Sequence, residues 1–395
     1  MPFREVSRMD EKQEFVRLAL TDGANMRSLC RRFGVSPTTA YKWLARHAAK
    51  GTAGLEERSR RPLSSPARCD ARTEAAVLAL REAHPVWGGR KIRAALLAQG
   101  FAAPAASTIT AILRRHGLPI GDFGGGRADW TRFEHPAPND LWQMDFKGHV
   151  RLADGGRLNP LTVLDDHSRY SIVLEACADQ KTATVRAALT AAFRRYGLPR
   201  TIITDNGSPW GDGPGSPYTP LGVFLIDQGV HISHARPYHP QTMGKDERFH
   251  RTLKAEAMSG PPFEDIPAAA KRFERWRRIY NHERPHEALA MATPASRYGP
   301  SPRDYSETPP PPEYGPDDHV RLVQQGGFIS FRGANLRTPK AFRGCAVALR
   351  PTAQDGVYDV FYRHQPIARL DFRSQTSKLQ PVHHVSEQVS TISPV

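Results

Sequence analysis

The sequence predicts a multidomain chain with two all-α units at the N-terminus, a central α/β domain on a mixed sheet, and a small C-terminal β-barrel. Three observations predict it. At 395 residues the chain is too long for one ordinary hydrophobic core. Its apolar periodicity changes from helical before residue 119 to strand-like after residue 139. Gly- and Pro-rich stretches without periodicity separate these regions. The expected division is residues 1–56, a basic linker 57–70, a second helical unit 71–118 and a linker 119–138. The sheet domain 139–300 follows, then a Pro-rich linker 301–318, the barrel 319–375 and a disordered tail 376–395.

Composition narrows the functional classes. A hydrophobic share of 39% and a charged share of 24% are those of a globular protein. No apolar run reaches the length of a membrane span, and the first residues are charged rather than signal-like, so no membrane partner and a cytoplasmic location are expected. The four cysteines are far apart and form no metal-binding or disulfide spacing. The net charge is +15, and residues 1–118 hold 21 basic residues against 10 acidic ones. A basic excess concentrated in one third of the chain implies a polyanionic partner.

Residues 11–47 predict three short helices. The first, near Glu11–Thr21, sets Phe15, Leu18 and Leu20 on one stripe, and the second, near Met26–Phe33, stops at Gly34. Ser36 is placed to cap the third helix, Thr38–His47, with Pro37 at its first position. Ala40, Trp43 and Leu44 turn inward, leaving Thr38, Thr39, Tyr41, Lys42 and Arg46 outward. This is a helix-turn-helix layout, whose second helix enters the DNA major groove. The strip Arg58–Pro66 is basic and Pro/Ser-rich, and its Arg60 and Arg61 suit a phosphate backbone or a minor groove. Residues 72–116 predict a second such unit, closed by a helix with Ile109, Ile112 and Leu113 inward and Arg114 and Arg115 outward.

In the sheet domain, strands are expected at Leu141–Lys147, Leu158–Leu164, Ser171–Ala176, Thr201–Thr204 and Val230–Ser233. Helices are expected through Val185, Leu189 and Phe193, at Leu221–Gln228, and from Gly244 onward. Beyond Pro309–Pro312, strands at Phe328–Phe331, Ala346–Leu349, Tyr358–Tyr362 and Ile367–Phe372 suggest the barrel, with Asp355-Gly356 as a hairpin turn.

Three carboxylates stand out. Asp145 lies inside an apolar strand, where a charge is costly unless it is paired or binds metal. Asp205 follows the strand Ile202-Ile203-Thr204, at the end where α/β folds place ligands. Glu247 opens a helix on which Arg251 and Lys254 follow at i+4 and i+7, on one face. Together the three offer the oxygen-rich donor set that Mg²⁺ or Mn²⁺ prefers, and two such ions can serve phosphoryl transfer. Asp165 and Asp166 are rival carboxylates, read here as hairpin and strand-end residues. Asp246 is also a rival, but shifting the ligand by one position turns it about 100° around the helix, off the face of Lys254.

At these residues the chain resembles the DDE transposase and retroviral-integrase superfamily, with its RNase H-like core, and more narrowly the IS481-type insertion-sequence transposases. The resemblance rests on Trp142-Gln143-Met144-Asp145, Leu164–Tyr170, Thr204-Asp205-Asn206-Gly207, His239–Arg248 and Tyr280–His286, together with the N-terminal helix-turn-helix and Gly54–Pro62. It implies that Asp145, Asp205 and Glu247 bind two Mg²⁺ or Mn²⁺ ions, and that Lys254 contacts DNA near the reacting end. It further implies double-stranded DNA partners (the terminal repeats of the element and the target), a homo-oligomer on DNA, and a bacterial, nucleoid-associated protein. Here 41 residues separate Asp205 from Glu247, more than in related integrases. The irregular loop Gly211–Ser216 is able to absorb the surplus. The integrase zinc domain is not expected, because His47, His84, His116, Cys30 and Cys69 have no zinc spacing. No nucleotide-binding loop is visible. Rival readings are a catalytically silent DNA-binding regulator and an RNase H-like nuclease that does not join strands.

Overall fold

The computed structural model describes residues 7–57, 68–118, 134–211, 218–234, 244–373 and 379–381. The chain divides into two compact units, Met1–Arg68 and Cys69–Val395.

The first unit holds helices α1 (Arg8–Ala19), α2 (Met26–Arg32) and α3 (Pro37–Lys50). Each starts on a side-chain cap: Ser7 in a capping box with Asp10, Asn25 accepting from the Ser28 N–H, and Ser36 accepting from the Thr39 N–H. Gly34, at φ +63°, makes the turn between α2 and α3. Phe15 is the hub, meeting Phe33 and Trp43 edge-on at 5.5 and 5.6 Å. The expected α1 stripe is corrected: Val16 is buried beside Phe15, whereas Leu20 is 64% exposed. Leu20 is the C-cap residue, one position past the end of the helix.

In the second unit, α4 (Ala71–Ala83), α5 (Gly89–Ala98) and α6 (Ala106–Arg115) bury Val77, Trp87, Ile92, Leu96, Ile109, Ile112 and Leu113. Gly89 is required where α5 crosses α6, since a Cβ there would lie 2.3 Å from the Ala106 carbonyl oxygen.

The central sheet contains β1 (Leu141–Phe146), β2 (Val150–Arg151), β3 (Arg157–Asp165), β4 (Ser171–Cys177), β5 (Thr201–Thr204) and β6 (His231–His234). Strands β4, β3 and β1 are antiparallel neighbours, and β1, β5 and β6 continue in parallel, so the sheet is mixed. Four helices accompany it: α7 (Thr182–Tyr196), α8 (Pro220–Asp227), α9 (Gly244–Glu256) and α10 (Ile266–His282). Alternation along β3 sorts the layers. Leu161 and Val163 join Val185, Leu189 and Phe193 of α7, while Leu158 and Leu164 join Phe249 and Leu253 of α9 and Phe273, Trp276 and Tyr280 of α10. Helix α10 is an element the sequence reading did not identify, although Ala269, Phe273, Trp276 and Tyr280 recur at helical spacing and Asp265 caps its start. Its Ile279 packs against the α4–α6 core, and Glu287, just beyond it, pairs with Arg90 at 3.6 Å and Lys91 at 3.8 Å.

Among the described residues the C-terminal strands do not close into the expected barrel. Strands β7 (His319–Leu322), β10 (Ala346–Pro351), β11 (Val357–Tyr362), β12 (Gln365–Asp371) and β13 (Gln380–Pro381) form an open sheet in the order β13-β12-β11-β10-β7. The hairpin β8 (Phe328–Phe331) and β9 (Ala334–Arg337) pairs only with itself among the described residues. Closure is not needed to bury the strands, because their apolar face continues the hydrophobic cluster of the central domain. Tyr218 meets Phe342 edge-on at 5.1 Å, and the Tyr362 hydroxyl donates to Asp227 at 2.7 Å. The segment before β7, expected as a linker, is strapped to the core by Arg303, which donates to the carbonyls of Pro199 and Gly229 at 2.5 and 2.6 Å. The expected disordered tail 376–395 is corrected at Gln380–Pro381, which pair with β12 as β13, while residues 376–378 and those beyond 381 lie outside the described residues.

Gly89→Ala is expected to destabilise the α4–α6 unit by about 1–3 kcal/mol, because backbone rather than a flexible side chain must move. Gly299→Ala, whose Cβ would meet open space, is the control. Equal denaturant midpoints for the two variants would show that the α5–α6 crossing tolerates a methyl group.

Candidate active site and nucleic-acid interface

The site is built by alternation on β1. Trp142 and Met144 point into the apolar cluster shared with α7, so Gln143 and Asp145 face the opposite side, toward α9. In the parallel pairing of β1 with β5, Gln143 stands opposite Ile203. Asp145 and Asp205 are each two residues beyond that position, at the carboxyl ends of adjacent strands. Asp205 is exposed and folds back on its turn, accepting from the Gly207 N–H at 2.9 Å. Asp145 is largely buried and accepts from the Phe146 N–H at 2.7 Å.

Helix α9 brings the third carboxylate. Asp246, Phe249, His250 and Leu253 form its buried face, while Glu247, Arg251 and Lys254 lie exposed along another. Asp246 and Glu247 therefore leave the helix in different directions. Asp145 senses the whole group. Its carboxyl is pushed up to about 6, first by burial, then by the negative charge of Asp205, with Glu247 adding to the shift. Lys147 opposes it.

A polar cluster lies under Asp145, and of its members the sequence singles out only Asp246, as a rival. Ligand-type atoms of Asp145, Asp246 and His250 all lie within 4.8 Å of one another. Thr162 Oγ1, in register with Asp145 on β3, is 3.0 Å from the Asp145 carbonyl oxygen, 3.2 Å from Asp246 Oδ1 and 2.8 Å from His250 Nε2. Asp246 is 1% exposed, and its carboxyl is held well above the ordinary range by burial and by the charge of Asp145. Its Oδ2 accepts no hydrogen bond, with His250 Nε2 at 3.1 Å. Burial, and then the charge of Lys147, pushes His250 down to about 3, so its ring is neutral near pH 7. The signal that marks these residues is the Asp246–His250 spacing of i, i+4 on an otherwise apolar helix face.

The rival carboxylates have structural partners. Asp165 accepts from the Asn139 N–H at 2.7 Å and the Ser168 N–H at 2.8 Å. Asp166 accepts from Gln143 Nε2 and the His135 N–H, both at 2.9 Å, and pairs with Lys245.

The donor set fits a divalent cation. Ligand-type atoms of Asp145, Asp246 and His250 crowd within 4.8 Å of one another, the charges of Asp205 and Glu247 add to the burial that raises Asp145, and a buried Asp246 oxygen has no hydrogen-bond donor. A bound cation relieves all three conditions.

On the N-terminal unit, Thr38, Tyr41 and Lys42 are exposed on α3, with Tyr41 59% exposed, while Thr39 and Arg46 are partly buried. Thr39 Oγ1 is 2.9 Å from the capping hydroxyl of Ser36. In the second helical unit Arg114 is exposed, whereas Arg115 pairs with the buried Glu74 at 2.5 Å. Arg60 and Arg61 lie outside the described residues. No helix among the described residues is long and apolar enough to cross a membrane.

Comparison with known proteins agrees with this architecture. Residues 11–62 match a helix-turn-helix domain, 39–113 a homeodomain-like domain, 135–240 and 228–294 the integrase core domain, and 318–378 the C-terminal domain of the IS481 family transposases. An IS476 protein of 39.2 kDa from Xanthomonas euvesicatoria is 31% identical over 160 residues, covering 40% of this chain and 44% of the relative. An IS407 protein of 31.7 kDa from Burkholderia multivorans is 28% identical over 159 residues, covering 40% and 55%. The chain thus spans about half the length of these curated relatives. Among solved structures, the simian T-cell lymphotropic virus intasome, in complex with the PP2A regulatory subunit B56 gamma, is similar at a TM-score of 0.35 and 16% identity, covering 78% of this chain and 96% of that one. The chain thus carries helix-turn-helix modules, an integrase core domain and the C-terminal domain of the IS481 family transposases, and its curated relatives are insertion-element proteins.

Proposed function

We propose that the chain is a DNA transposase that binds the terminal repeats of an insertion sequence, cuts at the element ends and joins the freed 3′-hydroxyls to target DNA. The observation that carries this reading is the placement of Asp145 and Asp205 at the carboxyl ends of adjacent parallel strands in a chain matching the integrase core domain and the C-terminal domain of the IS481 family transposases. The charges of Asp205 and Glu247 both act on the buried Asp145. Three carboxylates from a strand, a strand end and a helix start support a site for two Mg²⁺ or Mn²⁺ ions held by Asp145, Asp205 and Glu247. Such ions, when bound, activate the attacking oxygen and stabilise the leaving one.

The remaining groups position DNA. Arg251 and Lys254 share the exposed face of Glu247 and suit the phosphates that flank the reacting bond. The exposed residues of α3, chiefly Thr38, Tyr41 and Lys42, suit base and phosphate contacts in a major groove. Arg46, Thr39 and Arg115 are weaker members of the DNA-contact set, because Arg46 is partly buried, Thr39 is engaged with the capping Ser36, and Arg115 is paired with Glu74. Exposed Arg114 retains its role. A homo-oligomer follows from the need to join two ends at once.

The test is strand joining by the purified protein with Mg²⁺ or Mn²⁺, an element-end duplex and a plasmid target. Joined product is expected, falling more than about a hundredfold in Asp205→Asn. End binding without cutting or joining in both proteins would favour the regulator, and cutting without joining would favour the nuclease.

Two further outcomes are expected. Lys42→Ala should weaken end binding and lower the slope of log affinity against log salt by about 1, as for one lost phosphate contact. An unchanged slope would remove Lys42 from the interface. The second concerns stability. Asp145 has a folded pKa above its unfolded one, so the fold favours its protonated form. That contribution is full below about pH 4 and is lost as pH rises through about 6. At pH 7.5 without divalent ions, ionised Asp145 therefore costs about 1–3 kcal/mol, partial solvent exposure allowed for. Asp145→Asn should melt above wild type at pH 7.5 and converge with it near pH 4. Parallel melting curves across that range would contradict the electrostatic account.

A further inference from the structure

The proposed reading leaves unexplained a set of buried polar side chains beside the site. Gln143 is 2% exposed and Asp166 1% exposed, and neither belongs to the carboxylate triad. Gln143 spends both ends of its amide. Its Nε2 donates to Asp166 Oδ1 at 2.9 Å, and its Oε1 accepts from the backbone N–H of Asp246 at 3.2 Å. Asp166 in turn pairs with the Lys245 ammonium through the same Oδ1. Its Oδ2 accepts from the His135 N–H, and its own N–H donates to the Leu141 carbonyl at 2.9 Å. The three side chains link three elements: strand β1, the turn after β3, and the first turn of α9.

The placement of these anchors is what gives them a function. Gln143 is two residues before Asp145 and on the same face of β1. Lys245 is two residues before Glu247 on α9. The amide of Gln143 thus ties the strand that carries one carboxylate to the backbone of the helix that carries another. The Asp246 N–H is among the first four amides of α9, which no helical carbonyl can satisfy. The Lys245–Asp166 pair fixes the same turn from a second direction. Two attachments on adjacent residues restrain both rotation of the helix about its axis and sliding along it. A slip of one residue would rotate Glu247 by about 100° and shift it by about 1.5 Å. Either change is larger than the tolerance of a metal site.

We infer that Gln143, Asp166 and Lys245 form a positioning clamp that sets the orientation of Glu247 relative to Asp145. The clamp touches no reacting atom. It acts through the start of α9, and it rests on the reading of Glu247 as a metal-holding carboxylate.

The experiment uses the full chain and two readouts besides activity: Mn²⁺ affinity from free-Mn²⁺ electron paramagnetic resonance, and hydrogen exchange of the α9 amides without metal. Lys245→Met and Asp166→Asn are each expected to weaken Mn²⁺ binding about 10–100-fold, the range for partners that orient ligands. Each should also speed exchange in the first turn of α9 by about tenfold while α7 and α10 exchange as in wild type. Lys245→Arg, which keeps the ion pair, should return both readouts to within about threefold of wild type. Wild-type exchange and Mn²⁺ affinity in both Lys245→Met and Asp166→Asn would overturn the clamp. Equal acceleration in α7, α9 and α10 would overturn it too, as loss of general stability. Glu247→Gln separates the two claims, since it should weaken Mn²⁺ binding without changing α9 exchange. Wild-type Mn²⁺ affinity in Glu247→Gln would overturn the reading of Glu247, whereas the exchange of α9 in the Lys245 and Asp166 variants decides the clamp.

Discussion

Placing carboxylates close together at the end of a buried strand costs free energy, and the second unit is organised around offsetting that cost. Asp145 cannot reach bulk water freely, because Trp142 and Met144 before it and Phe146 after it anchor β1 in the apolar cluster. Asp205 arrives beside it because β1 and β5 are parallel and in register. The result is a carboxyl raised to about 6, whose strain is bearable only because large hydrophobic layers hold both faces of the sheet. Repulsion between neighbouring carboxylates is the kind of cost that a bound divalent cation offsets.

Helix α9 repeats the same division of labour in a different geometry. Phe249 and Leu253 fix it to the layer shared with α10, and Asp246 and His250 carry a polar stripe into that layer. Thr162 and a neutral His250 accompany Asp246 there, so the buried polar group is hydrogen-bonded through one oxygen. The outward face is left to Glu247, Arg251 and Lys254. One helix can serve both sides because adjacent residues differ by about 100°, so a buried Asp246 and an exposed Glu247 do not compete.

The outlying modules are attached to this core by specific polar contacts as well as by packing. The α4–α6 unit meets α10 through Ile279 and through the Arg90 and Lys91 pairs to Glu287. The C-terminal sheet shares a hydrophobic cluster with α7 and α8, and Arg363 and Tyr362 both reach Asp227 at 2.7 Å. An open sheet with a separate hairpin is stable in this setting because the central domain covers the apolar face that barrel closure would otherwise bury.

Local chemistry made much of this legible in the sequence. Ser36 and Pro37 mark the start of α3, Gly34 its turn, and Asp355-Gly356 the turn between β10 and β11, because caps and turns depend on residues a few positions apart. The proposed triad is read from local chemistry too: Asp145 is a charge in an apolar strand, Asp205 follows a strand, and Glu247 starts a basic-faced helix. Helix α10 was missed although its apolar spacing is regular, because its many arginines conceal the stripe. Arg115 shows the opposite limit, since a basic residue on the outer face of a helix can meet Glu74, 41 positions away. The sequence by itself determined which residues could cap, turn, span or repel. Only the tertiary structure decided that Gln143 would join Asp166 to α9, that Asp246 would lie beneath Asp145, and that the last strands would stay open. Those outcomes depend on contacts between segments 20 to more than 100 residues apart, for which the local pattern carries no information.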